Sequence, residues 1–247
     1  MKNSEVLYEK KGRISYITLN RPEKLNAFNI GLKNGLIKAW KEFVSDDDAW
    51  VAIVTGAGDR AFSAGADLKE PAPSVLAIPG IGTDIWKPLI AAVRGHCLGI
   101  GLVLAMQCDI RIAASDAQFG YPEAIAGKSG GIGAGLIKYM PHAIAMQLFF
   151  TAQPISAQRA YEVGFVNKVV PPEELLREAT DMAETIAANA PLVIRALKEL
   201  AYAGSHRTLR EAHGIAERIL NTVQESEDAN EGPRAFIEKR KPRFKGK

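Results

Sequence analysis

Pro88-Leu89-Ile90-Ala91-Ala92-Val93-Arg94-Gly95-His96-Cys97-Leu98-Gly99-Ile100-Gly101-Leu102-Val103-Leu104-Ala105-Met106-Gln107-Cys108-Asp109-Ile110-Arg111-Ile112-Ala113-Ala114 is the stretch whose pattern decides the fold. Residues 88–93 form a short apolar run bounded by proline and Gly95, the signature of a buried strand. A glycine-rich turn follows, then Ile100–Gln107 as a short apolar helix and Asp109–Ala114 as another strand. Ala117–Gly120 reads as a further short strand. The same order occurs upstream in looser form, where Trp50–Thr55 ends at Gly56-Ala57-Gly58. Strand, glycine-rich turn and short buried helix thus recur. The pattern predicts an α/β protein, though not a dinucleotide-binding layout.

Working outward, residues 5–20 predict a strand pair around the Lys10-Lys11-Gly12 turn. Residues 29–44 have helical spacing, with Leu32, Leu36, Ile37, Trp40, Phe43 and Val44 on the apolar face. Asp46-Asp47-Asp48 forms an acidic loop, and 70–84, rich in Pro, Gly and Ala, reads as a mobile loop. Ser156 and Gly164 bracket a helix over 156–163, and a strand is expected over Phe165–Val170. Helices are expected over 173–189, 191–203, 208–224 and 231–240. The shift near 190 divides the expected organisation into 1–190 and a helical 191–247.

The chain has 247 residues, 47% of them apolar and 24% charged, enough for a sizeable core without staples. That composition excludes collagen, coiled coil and extended disorder. The formal net charge is +3, but Lys239, Arg240, Lys241, Arg243, Lys245 and Lys247 crowd the last nine residues, and the rest of the chain is net acidic. A globally basic nucleic-acid binder is not indicated, and no DNA partner is expected. The tail reads as a solubilising terminus or as an anion contact. Cys97 and Cys108 form neither a disulfide framework nor a zinc pattern, and both are expected buried and reduced. No metal-ligand cluster is seen. The start of the chain lacks an apolar signal region, and no uncharged apolar run reaches membrane-spanning length, so a soluble cytoplasmic protein is expected.

Gly56-Ala57-Gly58 lacks the Gly-Lys-Ser/Thr of a phosphate loop, and Gly99-Ile100-Gly101 lacks the third glycine of a nucleotide fingerprint. Gly130–Gly135 suits a close-packed helix start. The positions of the glycines suggest a different chemistry. Ala64-Gly65-Ala66-Asp67 and His96-Cys97-Leu98-Gly99-Ile100-Gly101 each follow a strand and open a possible helix. Backbone N–H groups at a helix start have no internal partner. Two of them facing one oxygen make an oxyanion hole, where each donor is worth about 2.7–4 kcal/mol of transition-state stabilisation. Two ordinary tight turns would give the same sequence.

These residues also carry a family resemblance. Ala61-Phe62-Ser63-Ala64-Gly65-Ala66-Asp67-Leu68-Lys69 resembles the first oxyanion-hole motif of the enoyl-CoA hydratase/isomerase (crotonase) family, and Arg94–Ala105 resembles the second. Asn20-Arg21-Pro22-Glu23-Lys24-Leu25-Asn26-Ala27, Cys108–Ala113, Phe119-Gly120-Tyr121-Pro122-Glu123, Ile155–Gly164 and Ala235–Arg240 match in order, so the likeness runs from about 6 to 244. The resemblance implies a spiral of ββα turns with C-terminal helices that associate into a trimer, or a hexamer made of two trimers. It implies an acyl-CoA thioester substrate, with coenzyme A arriving as part of the substrate and no tightly bound cofactor. Ala66 and Ile100 would give their N–H groups to the thioester oxygen. Ala64, Gly65, Asp67 and Leu68 would lie along the coenzyme A path. Lys24 and Lys239 would meet its phosphates, Lys239 from a neighbouring subunit in one arrangement.

Within the resemblance, hydratases carry two glutamates twenty residues apart. Glu123 stands at the second position, and Val103 at the first. Valine can neither activate nor hold water, whereas one carboxylate suffices to move a proton between C2 and C4 of an acyl chain. Double-bond isomerisation is therefore expected, with hydratase, dehydratase or hydratase-lyase action through Glu123 as the alternative. An acyl-CoA or RNA binding protein of weak catalysis is the alternative of another class. Asp67 and Asp109 read as structural, and Glu70 lies on an unreadable loop. His96 and Cys97 are chain neighbours that point apart, which argues against a nucleophile pair. His142 is placed at a pocket rim, His206 and His213 on the surface, and Trp86 and Phe149 in core or pocket wall. The Lys128-Ser129-Gly130-Gly131 segment departs from the hydratase pattern, and the 70–87 stretch is shorter than usual.

Overall fold

A computed structural model describes residues 4–70, 75–128, 131–205 and 207–247, with the side chain of Leu209 also outside the described set. The chain opens with the antiparallel pair β1 (Val6–Lys11) and β2 (Ile14–Leu19). Helix α1 (Ile30–Ser45) follows, capped by Asn29, whose side chain accepts from the Leu32 N–H. Leu32, Leu36, Trp40 and Phe43 are buried on its inner face as the spacing predicts, and Ile37 packs partly buried beside them. Val44 differs: it is exposed in the last turn, where the helix leaves the sheet for the acidic loop.

Thereafter the chain alternates between two sheets. Strands β3 (Val51–Gly56), β5 (Leu89–Val93), β7 (Ile110–Ala114) and β10 (Lys168–Val170) extend β2 in a six-stranded sheet, each added parallel to its neighbour. Strands β4 (Ala61–Ser63), β6 (His96–Leu98) and β8 (Gln118–Gly120) lie parallel in a second sheet, closed by the antiparallel β9 (Ile155–Ser156). Each turn of this spiral lays one strand in each sheet. The second turn then runs into the helix α2 (Ile100–Met106), and the third into the single-turn helix α3 (Glu123–Ala126). Helices α4 (His142–Thr151), α5 (Ala157–Glu162), α6 (Leu175–Ala187), α7 (Pro191–Gly204), α8 (Leu209–Gln224) and α9 (Glu227–Ile237) complete the chain.

The central strands β3 and β5 of the six-stranded sheet are covered on both faces and are near-continuous apolar runs, whereas the edge strand β1 is mostly exposed. Ile53, Ile90, Ile112 and Val170 meet Leu175, Ala179 and Ala183 of α6 on one face. Ala52, Val54, Leu89 and Ala91 face the main core with α1 and α2 on the other. Among the described residues no helix is long and apolar enough to cross a membrane.

Several expectations are corrected. The strand expected over Phe165–Val170 shortens to Lys168–Val170, because Phe165 and Val166 donate to the Ala160 carbonyl and Asn167 to that of Arg111. Residues 75–84 are anchored rather than mobile: Ala77 and Ile78 are fully buried, and Trp40 Nε1 donates to the Ala77 carbonyl at 2.8 Å. Residues 71–74 of that segment lie outside the described set. The last helix starts earlier than expected, because Ser226 caps it, and it ends before the left-handed Lys239. A helix does start within Gly130–Gly135, as the 3-10 helix Ile132–Lys138 with Gly131 at its N-cap. The basic tail is folded back. Arg240 pairs with Glu231 at 2.5 Å and Glu238 at 2.6 Å, and Lys245 pairs with Glu227 at 3.0 Å. The buried Asp228 accepts from the Lys245 and Gly246 N–H groups.

Candidate active site

Three segments singled out from the sequence leave the carboxyl ends of three adjacent parallel strands. Ala64–Asp67 follows β4, Gly99-Ile100 follows β6 and Tyr121–Glu123 follows β8. That end of a parallel sheet is where open crevices form.

The first segment is moulded by residues 21–28. Asn26 is fully buried with φ +53°, a conformation asparagine tolerates better than most side chains. Its amide donates to the Ala57 and Ala61 carbonyls and accepts from the Arg21 N–H. Phe28 donates to the Gly65 carbonyl and accepts from the Asp67 N–H, both within 2.9 Å. This parallel bridge uses the groups flanking Ala66, so the Ala66 N–H faces the opposite, exposed side. No helix opens at Ala66, contrary to expectation; residues 68–70 form bends. Asp67 instead accepts from the Lys69 and Glu70 N–H groups and pairs with the buried Arg21 at 3.2 Å. These N–H groups, with the guanidinium, hold its carboxyl below the usual range.

The second segment does open a helix. Gly99 stands at φ +53° before α2, and Ile100 is its first residue, so the Ile100 N–H has no intrahelical acceptor. Gly65, at φ +99°, fits closely against this turn: a side chain on it would meet the Leu98 carbonyl at 3.1 Å and the Gly99 Cα at 3.7 Å. The two loops therefore approach as backbone on backbone, which glycine permits.

Glu123 completes the site. A Cβ on Gly99 would lie 3.0 Å from Glu123 Oε1. Glu123 Oε2 is buried and has no hydrogen-bond partner among the described residues. Burial pushes the carboxyl up from 4.5 to about 7, partly offset by a backbone N–H. A cavity of about 490 Å³ adjoins Glu123, with Tyr121, Lys128, Phe149 and Phe150 among its lining. The Tyr121 and Phe149 rings meet edge to face at 5.2 Å. Such a site can hold a developing oxyanion with backbone donors and move a proton with a group poised near neutrality.

The structure brings Glu123, Gly65, Gly99 and the segments bearing Ala66 and Ile100 together. Ala64 and Leu68 flank the first loop, with Leu68 exposed, and Lys24 lies exposed at the end of the 3-10 turn Pro22–Lys24. Lys239 is exposed just past α9. Val103 is buried within α2, one residue in a wholly apolar run. His96 is exposed while Cys97 is fully buried, so they point apart on β6. Burial pushes the Cys97 and Cys108 thiols up, Cys108 to about 12. Phe149 is wall of this cavity, and Trp86, 38% exposed, lines a different pocket and packs edge-on against Tyr202. Glu70 accepts from Asn29, and Asp109 pairs with Lys198 at 2.7 Å. His142 and His213 are exposed, and neither lines the cavity; His206 lies outside the described residues. Sequence reasoning missed Arg21 as the partner of Asp67. The clue was an arginine beside the Pro-Glu-Lys turn, but its partner lies 46 residues away.

A model of the enoyl-CoA hydratase/isomerase family matches residues 9–79 and 81–247. The chain belongs to this family. A mitochondrial protein of Dictyostelium discoideum named a probable enoyl-CoA hydratase is 42% identical over 97% of this chain and 90% of its own length. The (E)-benzylidenesuccinyl-CoA hydratase of Thauera aromatica is 36% identical over 98% of this chain and 99% of its own. The crystal structure of enoyl-CoA hydratase from Mycobacterium tuberculosis H37Rv superposes with a TM-score of 0.93 at 39% identity, covering 99% of this chain and 100% of that one. The ββα spiral is thus the crotonase fold, and the protein is an enzyme of the hydratase/isomerase family.

Proposed function

We propose that this crotonase-family enzyme acts on an enoyl-CoA thioester and shifts its double bond through Glu123. The observation that carries the reading is the buried, unpartnered carboxylate oxygen of Glu123 beside Gly99. The thioester oxygen accepts from the N–H groups of Ala66 and Ile100. The Glu123 carboxylate takes a proton from C2 of a 3-enoyl thioester, and the charge spreads over the dienolate onto the held oxygen. The Glu123 carboxylic acid then returns the proton to C4. A 2-enoyl thioester leaves at unchanged mass, and the glutamate is ionised again. A carboxyl near pH 7 serves both halves of this exchange. Val103, buried and apolar, offers no second carboxylate to position water.

Coenzyme A enters as part of the substrate, along Ala64, Gly65, Asp67 and Leu68, with Lys24 and Lys239 available to its phosphates. The reading includes association of the helical 191–247 region into a trimer or a hexamer.

Hydration is the second reading, and the names of the Dictyostelium and Thauera relatives favour it. There Glu123 activates water for addition to a 2-enoyl thioester, or removes it in reverse. Incubating the protein with matched 3-enoyl-CoA and 2-enoyl-CoA, then reading product mass and double-bond position, separates the two. A moved double bond at unchanged mass supports isomerisation. Gain of one water selects hydration, and no change in either substrate overturns both.

A further inference from the structure

The cavity beside Glu123 is mostly apolar, yet a second residue of charged type, Lys128, lines it. Glu123 opens α3, and Gly127, at φ +63°, ends that single turn. The next residue, Lys128, donates its N–H to the Glu123 carbonyl at 3.3 Å and lines the same cavity. Tyr121, Phe149 and Phe150 make up much of the remaining wall. Lys128 forms no ion pair with a described residue, although ion pairs hold Lys10, Lys168, Lys198 and Lys245 elsewhere. Lys128 is itself exposed to solvent.

An alkyl chain filling this cavity would strip water from the ammonium and return nothing. A chain ending in an anion would exchange that water for a charge-assisted hydrogen bond. The three aromatic rings would cover the carbon skeleton between the thioester and the anion.

We infer that Lys128 selects acyl groups bearing a carboxylate at the end remote from the thioester, so that the substrate is the coenzyme A monothioester of an unsaturated dicarboxylic acid. This rests on the proposed enoyl-CoA activity at Glu123 and adds the substrate class. Lysine gives the selection two components, attraction for the anion and a desolvation penalty against the neutral chain.

The test compares 3-hexenedioyl-CoA with 3-hexenoyl-CoA as substrates of the full-length protein and of Lys128→Met and Lys128→Arg. The native protein is expected to show a kcat/KM ratio of at least about tenfold in favour of the carboxylate. Lys128→Met abolishes that ratio and Lys128→Arg retains most of it. A ratio near one in the native protein, or one that Lys128→Met leaves intact, overturns the inference. A binding measurement keeps this outcome separate from the reaction itself. Adipoyl-CoA and hexanoyl-CoA cannot react by double-bond transfer, and calorimetry reads their affinities directly. Tighter adipoyl-CoA binding that is lost in Lys128→Met supports the role of Lys128 even if neither enoyl substrate turns over. Equal affinities overturn it even if both do.

Discussion

Replacing Glu123 by glutamine separates what this carboxyl does for the reaction from what it costs the fold. Burial moves the group from 4.5 to about 7. The folded chain therefore holds this proton more tightly than the unfolded chain does. The corresponding stability is fully present below pH 4.5 and is lost as pH rises through about 7. Carried to about pH 8.5, a shift of this size corresponds to about 3 kcal/mol. The side chain is only half-buried, and solvent screening of its exposed part lowers the expected effect to about 1–2 kcal/mol. Glutamine does not ionise, so Glu123→Gln should gain that amount over the native protein between the two pH values. A fixed penalty from its buried amide cancels in that comparison. For a chain of this size the relative gain in Tm is about 3–6 °C. Thermal unfolding of both proteins near pH 4.5 and about pH 8.5 measures it, and turnover at about pH 7.5 is read on the same samples. The variant should keep its fold and lose turnover. A Tm difference that is the same at both pH values would refute the claim of an elevated carboxyl. Unchanged turnover would refute its role as acid and base.

Gly99→Ala should lower kcat roughly 10–100-fold with little change in KM, because the new methyl group would press on Glu123 Oε1 and force a strained left-handed alanine. Steady-state kinetics that leave kcat within about twofold would contradict the close fit of that turn against the carboxylate. Asp67→Ala should cost about 3 kcal/mol in chemical denaturation, since it strands an Arg21 side chain only 7% exposed. A loss below about 1 kcal/mol would show that the Ala27 carbonyl and Glu5 suffice to hold Arg21.

Much of the spiral was legible because its strands are covered on both faces. Trp50–Val54 and Leu89–Val93 are continuous apolar runs for that reason, Asp109–Ala114 is apolar apart from Asp109 and Arg111, and all three are central strands of one sheet. Ser156 was equally readable as a cap, since a cap is a contact within three residues. Less legible were the places where a distant partner decides. Phe165–Asn167 has the composition of a strand, but its backbone groups are taken by Ala160 and Arg111. The helix expected after Ala66 gives way to a turn, because Phe28 captures the groups on either side of that residue. The loop-like Pro, Gly and Ala content of 75–84 concealed an anchor, since Trp40 reaches it from α1. The tail, read as a charge run, is held by acids of α9.

The sequence alone determined the recurring strand, glycine-rich turn and short helix, the two glycine-rich segments and the presence of glutamate at position 123 with valine at 103. Those are matters of local pattern and residue type. Only the tertiary structure decided that the three segments meet, because their strands are neighbours in the second sheet though far apart along the chain. It also decided the state of Glu123 and the company of Lys128. Burial, which raises the carboxyl toward neutrality, and the cavity, which Glu123 and Lys128 line together with Phe149 and Phe150, are properties of packing that no single stretch of chain contains.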